Sequence, residues 1–120
     1  ADVGALCAAA EAEGGLAGVA FNDAMAVVDA SYEFTPTAYT SGKGTAAETA
    51  NPAGTNSGSC KCFAFAKERG LSEAAALRLF CEHYEQVLGD PDGDTHLNIR
   101  AFQANGWEGI HFEGEPLSAK

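Results

Sequence analysis

The sequence has no long hydrophobic run and few basic residues. No apolar stretch approaches the ~20 residues that a membrane-spanning helix requires, so we predict a soluble chain without a transmembrane segment. Only 7 Lys and Arg stand against 17 Asp and Glu, which gives a formal net charge of -10. This charge repels phosphate backbones and anionic headgroups, and it therefore argues against nucleic-acid binding. A protein partner with a basic surface would be attracted instead.

Metal-binding and disulfide motifs are also missing. The four cysteines form no CxxC pair and no familiar zinc pattern. Cys60 and Cys62 are poorly placed to bridge each other, so we predict free thiols and favour a reducing compartment. The acidic turn at residues 90–94 departs from the EF-hand pattern, because its Gly is the fourth residue and Ala101 occupies the position of the final Glu. We therefore predict no metal and no cofactor.

The 120 residues fit one domain and leave no room for a second. We expect its core to span residues 21–117. Residues 1–20 precede it as an Ala-rich short helix and a Gly-rich linker. Residues 41–58 are mostly small or polar, which predicts a long loop, and long loops in compact domains are often functional or mobile.

Apolar periodicity predicts an α+β fold that is predominantly α. It indicates about five short helices, at residues 2–13, 22–31, 59–70, 73–88 and 95–105. Ser59 is a good N-cap, and Gly70 is typical of a helix end. The alternation around Ile110 and Phe112 predicts a closing strand at residues 107–113. Its expected partner is the aromatic and β-branched segment near residues 34–40, in a small two-stranded antiparallel sheet.

Candidate binding residues surround the start of the third predicted helix. A helix N-terminus with free N–H groups, near Asn56, Ser59 and Lys61, is chemically able to hold an anion. This segment is not a Walker loop, because Gly-Lys-Ser/Thr is missing and no buried strand precedes it. The alternative is that Asn56 and Ser59 only satisfy local backbone groups.

Further candidates come from the end of the chain and from the third helix itself. Cys60 and His96 are possible members of a nucleophile–base couple, since such pairs are close in space and not in sequence. Asn98 and Arg100 follow His96 on the last predicted helix. Trp107 and Tyr39 with Arg100 are a candidate partner-binding patch, because aromatic residues and Arg dominate hot spots. A lone Trp after a Gly is otherwise a lid on the core.

Distinct short motifs are spread over most of the chain, in residues 25–30, 34–39, 51–54, 56–61, 63–66, 91–93, 96, 98–100, 102, 106–107 and 109–110. On these motifs the chain resembles the HopJ type III effector family from Phe21 to Leu117. The resemblance does not imply a particular catalytic activity, because none is established for the family. Members usually have Phe-Gly and then Tyr-Tyr-Arg in the long helix. Here Cys81 follows Phe80, and Glu85 stands at the Arg position.

The sequence contains no complete catalytic site, so we lean towards a non-enzymatic accessory or interaction protein. The Ala/Gly-rich composition and the missing Met at position 1 favour a processed plastid protein, which would be a subunit attached to a larger photosynthetic complex. One alternative is a small enzyme or anion-binding module that uses residues 59–61 with His96 and Arg100. Another is an effector that acts in a host cell.

Overall fold

The chain folds into short helices and two small antiparallel sheets. A computed structural model describes residues 2–120, and within them the α+β, predominantly α class is confirmed. The α-helices are α1 Val3–Glu11, α2 Phe21–Ser31, α3 Ser57–Glu68, α4 Glu73–Arg78, α5 Glu82–Gly89 and α6 Leu97–Asn105, followed by a 3-10 helix at Gly106–Gly109. The strands are β1 Tyr32–Phe34, β2 Tyr39–Ser41, β3 Thr49–Asn51, β4 His111–Phe112 and β5 Leu117–Ala119.

The strands form two antiparallel sheets instead of the single one expected. The predicted pairing of residues 34–40 with residues 107–113 is confirmed, since β2 pairs with β4 and Tyr39 lies opposite Phe112. β3 adds to the other edge of β2, although it lies inside the segment predicted as a long loop. β5 pairs with β1, with Tyr32 opposite Ala119. The closing strand is short because residues 106–109 are wound into the 3-10 helix.

Helix α3 occupies the centre of the core. Its residues 62–66 are buried in an unbroken run, which is typical of a helix covered on every side. Phe63 is fully buried, and its ring lies 5.0 to 6.4 Å from four other aromatic rings, those of Tyr39, Phe80, Phe102 and Trp107. None of the helices formed by residues 2–120 has the length and apolar character that a bilayer span needs.

The helix predicted over residues 73–88 is broken at Cys81 into α4 and α5. Cys81 has φ 53 and ψ −120, a conformation that a glycine adopts without steric cost. The break lets the adjacent side chains of Leu79 and Phe80 both reach the core, where a straight helix would point them about 100° apart. The interruption raises the number of α-helices to six, and it turns α5 away from the axis of α4.

The helix ends agree with the sequence at some points and correct it at others. The Gly70 prediction is confirmed: this residue has φ 66, the Leu71 N–H donates to the Ala66 carbonyl, and Leu71 folds back into the core. The N-cap prediction for Ser59 is wrong, because α3 begins two residues earlier, after Asn56 in a left-handed conformation. A turn at residues 52–56 joins the end of β3 to this start of the helix.

Two glycines with open space around them separate backbone strain from packing. A Cβ at Gly70 or at Gly89 would meet no atom within 4 Å, but only Gly70 has a positive φ. We expect Gly70→Ala to lower the free energy of unfolding by about 1–2 kcal/mol, since it forces an L-residue into the left-handed region. Gly89→Ala, inside α5, should instead raise it by roughly 0.5–1 kcal/mol. Urea denaturation of both variants checks this, and equal effects of the two substitutions would contradict it.

Candidate functional site

The structure brings Asn56 and Asn98 together in a buried amide network. Asn98 lies at the start of α6 and pairs with Asn51 at the end of β3. Asn51 Nδ2 donates to Asn98 Oδ1 at 2.9 Å, and Asn98 Nδ2 donates back to Asn51 Oδ1 at 3.0 Å. Each amide oxygen accepts a second bond: Asn51 Oδ1 accepts from Asn56 Nδ2 at 2.7 Å, and Asn98 Oδ1 accepts from the Ser41 hydroxyl at 2.5 Å. These bonds tie β2, β3, α3 and α6 together, which is a structural use of both candidate residues.

Ser59, Cys60 and Lys61 lie at the start of α3 but have separate surroundings. The Lys61 ammonium forms an ion pair with Asp29 at 2.7 Å, and it lies 5.3 Å from the centre of the Phe34 ring. The Cys60 thiol is directed at the Thr37 carbonyl at 3.6 Å, and burial raises the pKa of this thiol to about 11. It is therefore protonated near neutral pH, and a thiol is a weak nucleophile.

The Tyr39 hydroxyl is buried beneath the first turn of α3. It faces the Ser59 side chain but forms no hydrogen bond of ordinary geometry with it. Burial raises the pKa of the phenol far above its usual value, so the hydroxyl stays neutral. Tyr39 is fully buried among the core side chains, so this hydroxyl belongs to the core.

His96 and Arg100 lie at the start of α6, where His96 contacts α5. The His96 Nε2 atom lies 2.6 Å from Gln86 Oε1, and its ring centre lies 5.1 Å from that of His83. Arg100 folds back on the preceding acidic turn, where its guanidinium donates to the carbonyls of Thr95 and Pro91. Burial lowers the pKa of His96, and the electrostatic effects of His83 and Arg100 lower it further.

Trp107 closes the core, as the alternative interpretation expects. Its indole N–H donates to the Leu71 carbonyl at 3.3 Å, and its ring lies edge-on to Phe102 at 4.8 Å. The backbone N–H of Trp107 donates to the Glu73 carboxylate at 3.1 Å. The candidate residues thus belong to at least four separate sets of contacts. Within residues 2–120, no hydrogen bond joins Cys60 to His96.

A groove of about 480 Å³ lies beside the break between α4 and α5. We call it the elbow groove. One wall is the turn at residues 14–20, the other wall is α5, and Cys81 lies between them. The apolar lining consists mainly of Leu16, Ala17, Val19, Tyr84 and Leu88, with the acidic side chains of Glu82 and Glu85 among them. Its volume is within the range of ordinary ligand and peptide pockets, roughly 300–1,000 Å³.

The elbow groove carries a negative field. Burial raises the pKa of the Cys81 thiol to about 11, and the carboxylates of Glu82, Glu85 and Asp23 add to the rise. One oxygen of Glu82 accepts the Phe21 N–H at 2.7 Å, which lowers the pKa of that carboxyl and keeps it ionised. Arg78 also lines the groove, but its guanidinium donates to the Ala10 carbonyl at 2.9 Å.

Sequence reasoning missed the elbow groove because two of its features are not local. The linker at residues 14–20 contacts α5 only in the folded chain, and the break at Cys81 interrupts a continuous apolar stripe. Two features of the sequence point to the groove. Cys81 stands where the family resemblance places a Gly, and Leu88 is an apolar residue outside the apolar face of the helix predicted over residues 73–88. Leu88 is 53% exposed.

A second depression of about 640 Å³ lies between α3 and the strands β1, β4 and β5. Its lining includes Lys67, Glu68 and Phe112, and the Lys67 ammonium lies 5.7 Å from the centre of the Phe112 ring. Glu115 also lines it, so three charged residues stand on its rim, and its lining is more polar than that of the elbow groove.

The paired amides should act as a unit. We expect Asn51→Ala and Asn98→Ala each to lower the free energy of unfolding by about 2 kcal/mol, because each leaves the other amide buried without its partner. The double variant should lose about 1–2 kcal/mol less than the sum of the two. Urea denaturation measures all three variants, and Asn22→Ala on the exposed face of α2 is the control. Strict additivity would contradict a direct pairing.

The lowered pKa of His96 predicts a loss of stability in mild acid. The unfolded state binds a proton near pH 6.5, while the folded state resists it, so stability falls as the pH drops through that value. His96→Asn removes the titrating group with a residue that tolerates the left-handed backbone at this position. From about pH 7.5 to about pH 5.5, the melting temperature of the wild type should fall more than that of this variant. Parallel curves would contradict the expectation.

Comparison with known proteins identifies the relatives of this chain. The family described as HopJ type III effector protein matches residues 10–117. The crystal structure of VPA0580, described as a protein of unknown function, is 41% identical in sequence and superposes with a TM-score of 0.82. That similarity covers 98% of this chain and 90% of the other. No curated protein matches the sequence. Since the family match spans nearly the whole chain, the protein belongs to the HopJ type III effector protein family.

Proposed function

We propose that this HopJ-like protein is a non-enzymatic interaction protein that attaches to a protein partner through the elbow groove. The observation that carries the proposal is the combination of an apolar lining with an acidic rim beside the break at Cys81. Apolar area supplies affinity for a partner, and charge on the rim selects which partner approaches. A net charge of -10 favours a partner with a basic surface.

The contacts of the other candidate residues also support an interaction role over chemistry. A nucleophilic cysteine needs a lowered thiol pKa, whereas burial raises the pKa of both Cys60 and Cys81 to about 11. An anion site at the start of α3 would need Lys61, which is paired with Asp29. The enzyme or anion-binding alternative therefore requires these side chains to leave their present partners.

A finer form of the proposal makes the protein a subunit attached to a larger photosynthetic complex in a plastid. Its support is the acidic surface, which suits attachment to a basic face of such an assembly. The family description mentions type III effectors, and action inside a host cell is the competing proposal. Location separates the two, because a plastid subunit is recovered with the photosynthetic membranes and an effector is recovered in the host.

Native isolation tests the interaction role. The tagged protein, expressed in its source cells and extracted gently, should migrate well above the 12.3 kDa expected for a free chain. Cross-linking before extraction should yield the same defined partner in repeated preparations. Recovery of the protein only as a free monomer, with and without cross-linking, would overturn the proposal.

A further inference from the structure

The shape of the elbow groove suits an extended apolar strip with a charged edge. Leu16 and Val19 are half-buried on one wall, and Tyr84 and the more exposed Leu88 are on the other. Leu88 and Leu97 are the two large apolar side chains that remain mostly exposed in the described part of the chain, at 53% each. Of the two, Leu88 lines the elbow groove. An exposed leucine beside other apolar side chains marks a surface that a partner covers.

Charge identifies which partner. Glu82 and Glu85 line the groove beside Cys81, and Asp23 is near enough to add to their electrostatic effect on the Cys81 thiol. The Glu85 carboxylate is exposed and has no hydrogen bond or ion pair within residues 2–120. Arg78, the basic residue in the lining, is held by the Ala10 carbonyl. Two carboxylates, those of Glu82 and Glu85, therefore line the groove against the single guanidinium of Arg78, which leaves a net negative charge for an entering cation. The aliphatic stem of that cation finds an apolar wall.

We infer that the elbow groove binds a basic amphipathic segment of a protein partner. Leucine-like side chains of the segment cover Tyr84 and Leu88, and a Lys or Arg of the segment pairs with Glu85. This inference rests on the proposed interaction role and names the class of partner. A second copy of this chain is a poor occupant, because two chains of charge -10 repel each other. Phosphate-bearing ligands and anionic lipid surfaces are repelled for the same reason.

A designed peptide tests the inference with the full chain. The probe is a fluorescein-labelled peptide of roughly 16 residues, long enough to form a helix, with Leu and Lys at helical spacing. Its matched control carries Glu in place of each Lys. Fluorescence anisotropy should show saturable binding of the Lys peptide that weakens as salt is added, and little binding of the Glu peptide.

Two pairs of variants locate the binding surface. Glu85→Lys should weaken the Lys peptide by about tenfold or more, because attraction becomes repulsion. Glu113→Lys makes the same change of charge directly after β4, at a residue that lines neither cavity. It should change affinity by less than about threefold. Leu88→Asp should weaken binding similarly, whereas Leu97→Asp, at an equally exposed leucine, should leave it nearly unchanged. Circular dichroism and melting temperatures establish that all four variants are folded.

The outcomes separate the groove from the general interaction role. Absent binding of the Lys peptide, or equal losses in the groove variants and their controls, overturns the inference. If the native complex forms but survives both Glu85→Lys and Leu88→Asp, the partner binds another surface and only the interaction role stands. If the native protein is always free, the proposed function fails, even where the peptide binds the groove. Loss of both peptide and native partner in the two groove variants alone supports the inference.

Discussion

The packing around Phe63 is the constraint on which the rest of the fold depends. Its ring meets side chains from β2, from the break between α4 and α5, from α6 and from the 3-10 helix. None of these elements is long enough to be stable alone, since isolated helices shorter than ~12–15 residues are marginal in water. A central helix therefore holds them in place, with residues 62–66 buried and its surface exposed only at the two ends, at residues 57–59 and 61 and at residues 67–68.

The elbow groove is a consequence of how that core is filled. Phe80 must reach Phe63, and the chain turns at Cys81 in order to deliver it. The turn leaves α5 at an angle, with Glu82 positioned to accept the first N–H of α2. The space between α5 and the Gly-rich turn remains open to solvent, and its apolar walls are not covered by any other element. A cost in backbone strain at one residue thus accompanies both a supported helix and an open apolar groove.

The sequence predicts those parts of the fold that local signals determine. Gly70 ends α3 because its left-handed conformation is a property of that one residue, and the pairing of β2 with β4 follows from alternation in both segments. β3 was missed because Thr49, Ala50 and Asn51 form a strand only where β2 accepts them and Asn98 pairs with Asn51. The candidate residues illustrate the same limit: Asn56, Asn98 and Trp107 were recognised as special, but their partners across the fold make the contacts recorded for them structural.

The pairing of β1 with β5 has a consequence for the order in which the molecule assembles. Tyr32 lies opposite Ala119, so this ribbon joins the first third of the chain to its last residues. Closing so long a loop costs entropy that three pairs of residues cannot recover on their own. We therefore expect the ribbon to form late in folding and to open at a lower free energy than α3 and its aromatic neighbours. We accordingly expect α3 and the elements packed around it to unfold cooperatively, and the β1–β5 pair to have lower local stability.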